Sequence, residues 1–270
     1  MEWVVGNAFF QSSDIPIDER RTKVSWIWIL IFAIFSLGNL LIPSRPVEAI
    51  TPGKWSYKDS LLLFPHKDLP KPKREKVFDP DGRLLLVSEL VYKGHLLVEE
   101  IYRNPETTEG STIYEYDKQD RLVRETTKDA SGKTIESRDF VYKGNHLAKI
   151  RFFTEGGNLY MDSSIFQWMD DMIGSGEIVW METKDKEKIL ITSGDRKRTM
   201  AILDENKKPI ATVDFLYNSK GQLEQRLFTQ GDLSRKNLFQ YDSMGRLSEF
   251  SFHVKQDGKW ILEKVHKLEY

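Results

Sequence analysis

A seven-residue phrase recurs along the chain: "FDPDGRL" (Phe78–Leu84), "YDKQDRL" (Tyr116–Leu122), "YNSKGQL" (Tyr217–Leu223) and "YDSMGRL" (Tyr241–Leu247). Each holds an aromatic residue, Asp or Asn, two free positions, Gly or Asp, Arg or Gln, and Leu. Two shortened forms, "YKGHL" (Tyr92–Leu96) and "YKGNHL" (Tyr142–Leu147), keep the aromatic residue and the leucine. The tyrosines at 92, 116, 142, 217 and 241 are 24, 26, 75 and 24 residues apart. The long gap equals three periods, so two worn copies are expected near Phe166 and Ile191. Internal repetition of this length means that one supersecondary unit is stacked many times.

The frame reads as a turn. An Asp or Asn at its start, such as Asp242, accepts a hydrogen bond from the backbone two residues on. A glycine such as Gly221 or Gly245 supplies positive φ. A type I turn closed in this way makes a hairpin loop with a bulge. Tyr241 then faces Leu247 and Tyr217 faces Leu223, an aromatic–aliphatic cross-strand pair. A second glycine turn falls in most periods, at 108–111, 130–133, 155–158, 229–232 and 256–259. Two turns per ~25 residues leave short strands at the spacing of an all-β meander. The expected fold is therefore all-β: antiparallel hairpins in ~25-residue repeats forming a long twisted sheet or a partly closed barrel. Repeats are clear over 76–160 and 203–270 and degenerate over 161–202. Ser163–Gly174 is the one stretch expected to be briefly helical.

Before the repeats the composition changes. Arg20, Arg21 and Lys23 precede an uncharged run from Val24 to Ile42, 19 residues long. That length spans a bilayer as a helix. Read as a signal peptide, the segment ends in "VEA", with cleavage after Ala49. Read as an anchor, its basic end stays in the cytoplasm; a buried soluble helix is the third reading. The first two place residues 50–270 outside the cytoplasm. Residues 50–76, with "PHKDLPKPKREK" (Pro65–Lys76), read as an extended linker. The domain plan is then a leader over 1–49, this linker, and a repeat domain over 77–270.

The phrase with its return strand resembles the tyrosine–aspartate repeats of bacterial Rhs and wall-associated proteins and of teneurins. The resemblance implies hairpin-built β-sheets, which in large members curl into shells around a toxin and in others serve as surface scaffolds, some linked to carbohydrate. This chain has seven or eight units and ends on a strand at Tyr270, so the shell function is not carried over.

Chemistry is sought among the residues that remain. The chain has no cysteine, which excludes disulfides, thiolate metal sites and cysteine nucleophiles. Its net charge is −1, so no global basic field favours nucleic acid. His66, His95, His146, His253 and His266 show no metal-ligand spacing; His95 and His146 read as one repeat position, just before the motif leucine. "SGKT" (Ser131–Thr134) lacks the first glycine of a phosphate loop, and "DPDG" (Asp79–Gly82) lacks the distal ligands of a calcium loop. Asp170 and Asp171 are a lone acidic pair. Trp55, Trp168, Trp180 and Trp260 are residues of the kind that stack on sugars or fill cores. No catalytic, cofactor or metal residues are assigned. The expected function is an exported, non-enzymatic β-repeat module of the bacterial envelope, binding an envelope protein or polysaccharide. The alternatives are a membrane-anchored structural protein, or an enzyme with its site within 163–198.

Overall fold

In the computed structural model, the structure describes residues 56–63, 70–105, 107–169 and 172–270, with the side chains of 60, 168, 169, 172 and 173 left aside. The candidate cleavage site at Ala49 and the apolar run 24–42 lie outside these residues, as do Trp55, His66, Asp170 and Asp171.

Sixteen antiparallel strands follow one another around a closed barrel. They are β1 (Arg74–Phe78), β2 (Leu84–Lys93), β3 (Leu96–Arg103), β4 (Thr108–Tyr116), β5 (Leu122–Asp129), β6 (Thr134–Lys143), β7 (His146–Thr154) and β8 (Leu159–Met169), then β9 (Met172–Trp180), β10 (Lys186–Gly194), β11 (Lys197–Leu203), β12 (Pro209–Tyr217), β13 (Leu223–Gln230), β14 (Leu233–Tyr241), β15 (Leu247–Gln256) and β16 (Lys259–Glu269). β1 pairs with β16, from Arg74↔Glu269 to Phe78↔Val265, and this removes both sheet edges. Closure goes beyond the open or partly closed sheet expected from the repeats.

The phrase acts as the sequence implies. Tyr116 pairs with Leu122, Tyr217 with Leu223 and Tyr241 with Leu247, each across a register shift. In the last, the Gly245 amide donates to the Asp242 carbonyl at 2.9 Å and the Asp242 amide to the Arg246 carbonyl at 2.8 Å. The Asp242 carboxylate also caps the Met244 and Arg246 amides, both at 2.9 Å. Asp120, where the frame has no glycine, takes φ 59°. The same closure occurs in the first copy of the phrase at 78–84, and at 128–134, 153–159 and 203–209 with unrelated sequences.

Three details differ from the sequence reading. The shortened phrase pairs Tyr92 with Leu97, not Leu96, because its loop has only two residues after Lys93. Leu96 therefore matches His146 across the repeats, and His95 matches Asn145, so the two histidines do not share a position. The worn copies sit two residues beyond Phe166 and Ile191: the register puts Trp168↔Ile173 and Ser193↔Arg198 where tyrosine and leucine pair elsewhere. A register shift on either side of Gln167 accounts for part of this slip. Finally, the described residues of 163–174 are not helical but form the end of β8 and the start of β9, because each strand continues a ladder with its neighbours.

The segment read as an extended linker holds α1 (Lys58–Leu63) and the first residues of β1. Ser56 starts α1, its hydroxyl accepting from the Lys58 amide at 3.2 Å, and Asp59 lies in the first turn, where a carboxylate favours a helix. Six residues do not sustain a helix alone. Burial does: Tyr57, Leu61 and Leu62 are among the least exposed side chains of the molecule.

Several turns hold a long side chain in the left-handed region, Lys184 at φ 64°, Arg196 at φ 49° and Lys207 at φ 63°. A Cβ disfavours that region, and the Lys207 amide closes its turn on the Asp204 carbonyl. Lys207→Gly is expected to stabilise the protein by about 1 kcal/mol in urea denaturation, and Gly245→Ala, at φ 79°, to cost a similar amount.

Candidate functional site: a filled lumen and a tyrosine rim

Alternation along the strands separates two faces. The inner face carries Phe152, Met200, Phe215 and Phe250, all sealed from solvent. A round sixteen-stranded barrel leaves an aqueous channel; here large apolar side chains and α1 fill the space instead. The outer face carries ion pairs across neighbouring strands: Lys149 with Asp162 at 2.9 Å, Lys197 with Asp214 at 3.0 Å, Lys267 with Glu249 at 3.5 Å and Arg124 with Asp139 at 3.6 Å. A lipid-facing barrel needs an apolar outer band about 25 Å tall, and a Lys or Arg at its midplane costs about 2–4 kcal/mol. The wall of this barrel is built the other way round, with charge outside and, away from a polar cluster on β1 to β6, apolar residues inside.

Within the lumen, β1 to β6 present polar side chains to α1. Lys58 forms a buried ion pair with both carboxylate oxygens of Glu100. The Tyr102 and Tyr114 hydroxyls donate to the same carboxylate at 3.1 and 3.2 Å, and Tyr102 also meets the Thr112 hydroxyl at 2.7 Å. Arg138 pairs with Glu125 on the adjoining strands. At the seam, His266 Nδ1 and Glu75 Oε1 share a 2.7 Å hydrogen bond, with the Phe250 ring stacked 4.3 Å from the imidazole. Burial pushes the tyrosine hydroxyls of this cluster upward, helped by Glu100, and pushes the His266 imidazole below its usual range.

Asp59 on α1 is raised to about 6, first by burial and then by Glu125, against the lowering pull of Arg138. The folded protein thus binds this proton more readily than the unfolded chain, so the group adds stability as pH falls through about 6 towards 4 and costs stability above it. Relative to Asp59→Asn, wild type should gain stability between pH 7 and pH 5, a difference from which the His266 contribution cancels. Urea titrations of both proteins at several pH values measure it.

At the end of the barrel where β1 begins, the tyrosines of the repeat form a belt. Each of several hydroxyls reaches a backbone carbonyl of the neighbouring hairpin: Tyr116 to Leu97 at 2.8 Å, Tyr241 to Leu223 at 2.6 Å and Tyr270 to Leu247 at 3.0 Å. Tyr92 reaches Pro72 at 3.1 Å. The phrase arginines continue the pattern, Arg121 lying 4.7 Å over the Tyr142 ring and Arg246 4.3 Å over the Tyr270 ring. Leu97, Leu122, Leu147, Leu223 and Leu247 are buried beneath. Phe78 and Leu84 stand apart from this belt. Their turn is at the opposite end of the barrel, and Phe78 is covered by Lys267 of the outer wall. The sequence reading explained the leucine and the turn but missed the tyrosine hydroxyl. Its signal was the choice of Tyr over Phe at 92, 116 and 241.

The region 163–198 is the run from β8 into β11. There the Trp180 indole donates to Glu187 at 3.1 Å, while Phe166 and Leu190 are exposed on the outer wall. Trp260 lies beneath Lys236, 4.5 Å from its ring. Among the described residues no helix is long and apolar enough to cross a membrane, and no group of three or more His, Asp or Glu residues is placed to hold a metal ion.

No family model and no curated protein matches this sequence. Among solved structures, a porin-like protein from Bacteroides uniformis aligns with TM-score 0.48 and 10% identity, covering 73% of this chain and 98% of that one. The Tc holotoxin pore of Photorhabdus luminescens aligns with TM-score 0.25 and 10% identity, over 70% of this chain and 14% of that one. The TcdB2–TccC3 complex aligns with TM-score 0.27 and 11% identity, over 71% and 14%.

Proposed function

We propose that the protein is an exported, non-enzymatic barrel of the bacterial envelope, built from tyrosine–aspartate-type repeats, that works as a rigid water-facing scaffold. The observation that carries this reading is the inverted wall, with ion pairs on its outer face and large apolar side chains sealed inside, and the lumen occupied by the chain's own α1. Such a body conducts nothing, and it offers its outer face to a protein or polysaccharide partner. Its place outside the cytoplasm follows from the basic residues and apolar run of the leader, whether the segment is cleaved after Ala49 or kept as an anchor.

Cell fractionation combined with surface protease accessibility of a tagged protein tests the reading. Recovery in the envelope or medium supports it, and a cytosolic pool inaccessible to protease defeats it. N-terminal sequencing separates the two leader forms, because cleavage gives a first residue of Ile50.

A further inference from the structure

The two ends of the barrel differ in charge. At the tyrosine rim, the described residues of the turns with their flanking strand-terminal residues, the lead-in from Pro70 and the end of β16 carry eleven Lys and Arg against five Asp and Glu. The described residues of the opposite rim, counted in the same way, carry eight against ten. The carboxylates of the tyrosine rim are also partly spoken for. Asp117 is bound to Arg121 at 2.6 Å and Asp242 to Arg246 at 2.7 Å. Asp120 meets His95 at 3.2 Å, and Glu269 pairs with Lys76. The lysines, by contrast, project. Lys73, Lys93, Lys118, Lys143, Arg196 and Lys220 are all exposed, most of them on different hairpins. On the β14–β15 turn, which has no such lysine, the tip is Met244, 67% exposed and the most exposed large apolar side chain among the described residues.

This is also the end at which the chain joins the barrel. β1 starts here at Arg74, and Tyr57 before α1 lies within electrostatic reach of the rim tyrosines Tyr92 and Tyr270. We propose that the tyrosine rim docks on anionic phospholipid headgroups, with the lysines of successive hairpins on the phosphates and Met244 entering the interface. The proposal rests on the reading of residues 24–42 as a membrane segment, which would present this rim to the bilayer surface. A ring of cations at a surface is drawn to anionic lipid and released by salt, and an apolar tip on the same rim gains by leaving water.

The absence of cysteine makes the test direct. A polarity-sensitive dye is attached at Met244→Cys or, at the opposite rim, at Asp81→Cys in the full chain. Each protein is mixed with vesicles of neutral phosphatidylcholine and with vesicles that also contain phosphatidylglycerol. The expected result is a blue shift at position 244 with the anionic vesicles only, reversed at about 0.5 M salt, and no shift at position 81. Reversing Lys93, Lys118, Lys143 and Lys220 to Glu should raise the anionic lipid needed for half the shift by about a thousandfold or more. Lys118→Glu and Lys220→Glu alone should give partial losses, which keeps the test decisive if the fourfold variant does not fold. Vesicle binding with an unchanged dye at 244 overturns the docking and leaves the membrane reading standing. Failure to bind either vesicle overturns both. A shift that grows with protein concentration in the absence of lipid overturns the docking in favour of end-to-end stacking of copies, basic rim on acidic rim.

Discussion

Replacing Lys58 with methionine is expected to destabilise the barrel by about 3–5 kcal/mol, the cost of leaving one member of a buried ion pair alone. Lys58 and Glu100 are both withdrawn from solvent, and the Glu100 carboxylate would keep only the hydroxyls of Tyr102 and Tyr114. Two hydroxyl donors do not replace a cation in a low-dielectric interior. Adding Glu100→Gln should recover most of the loss, since the amide oxygen still accepts from both tyrosines and no charge is left behind. The double-mutant cycle, measured by urea denaturation, isolates the pairwise coupling. In the single variant the amides of Lys58–Leu63 should exchange faster while those of β12 stay protected, because only α1 loses its tie.

Phe250→Ala is expected to cost about 3–5 kcal/mol, from lost burial plus the cavity left behind. Phe250 sits in β15 beside the closing seam, fully buried, with Phe239, Phe252 and His266 around it at centroid distances of 6.4, 5.8 and 4.3 Å. Removing the ring therefore loosens the support of the imidazole that joins β16 to Glu75 of β1. Phe250→Leu, which keeps most of the volume, should cost less. Phe166→Ala is the matched control: that ring is 64% exposed, and its loss should change stability by no more than about 0.5 kcal/mol. Thermal or urea unfolding of the three variants gives the comparison.

The hairpin turns were legible in the sequence because they are local. Aspartate, glycine and a leucine six residues from the aromatic determine where the chain reverses, and Tyr241↔Leu247 follows from those residues alone. Closure was not legible. β1 is only five residues long and lies next to a proline-rich stretch, and its partner β16 is some 190 positions away, a pairing for which no local pattern exists. Nor was α1, whose six residues have too little periodicity to register and are helical because the lumen buries them. The charged face of the lumen was hidden for a related reason. Glu100 and Glu125 look like ordinary polar positions of alternating strands, and only closure shows that their side of the strand points inward. The tyrosine belt was half visible. Repetition singled out the residue, but the carbonyls that the Tyr116 and Tyr241 hydroxyls reach belong to other hairpins.

Closure of the barrel by β1 and β16 is the claim on which the filled lumen, the charged wall and the two unlike rims all depend. Lys76 and Lys267 face each other across that seam. In a chain without cysteine, Lys76→Cys with Lys267→Cys places two thiols at a separation that a disulfide bridges without strain, a Cα distance of about 4.4–6.8 Å. The expected result under mild oxidation is near-complete intramolecular crosslinking of the folded protein, seen as a mobility shift reversed by reductant, with the urea midpoint unchanged or raised. Two thiols that stay free in the folded protein, or that crosslink only between molecules, would mean that the sheet is open and would contradict the account.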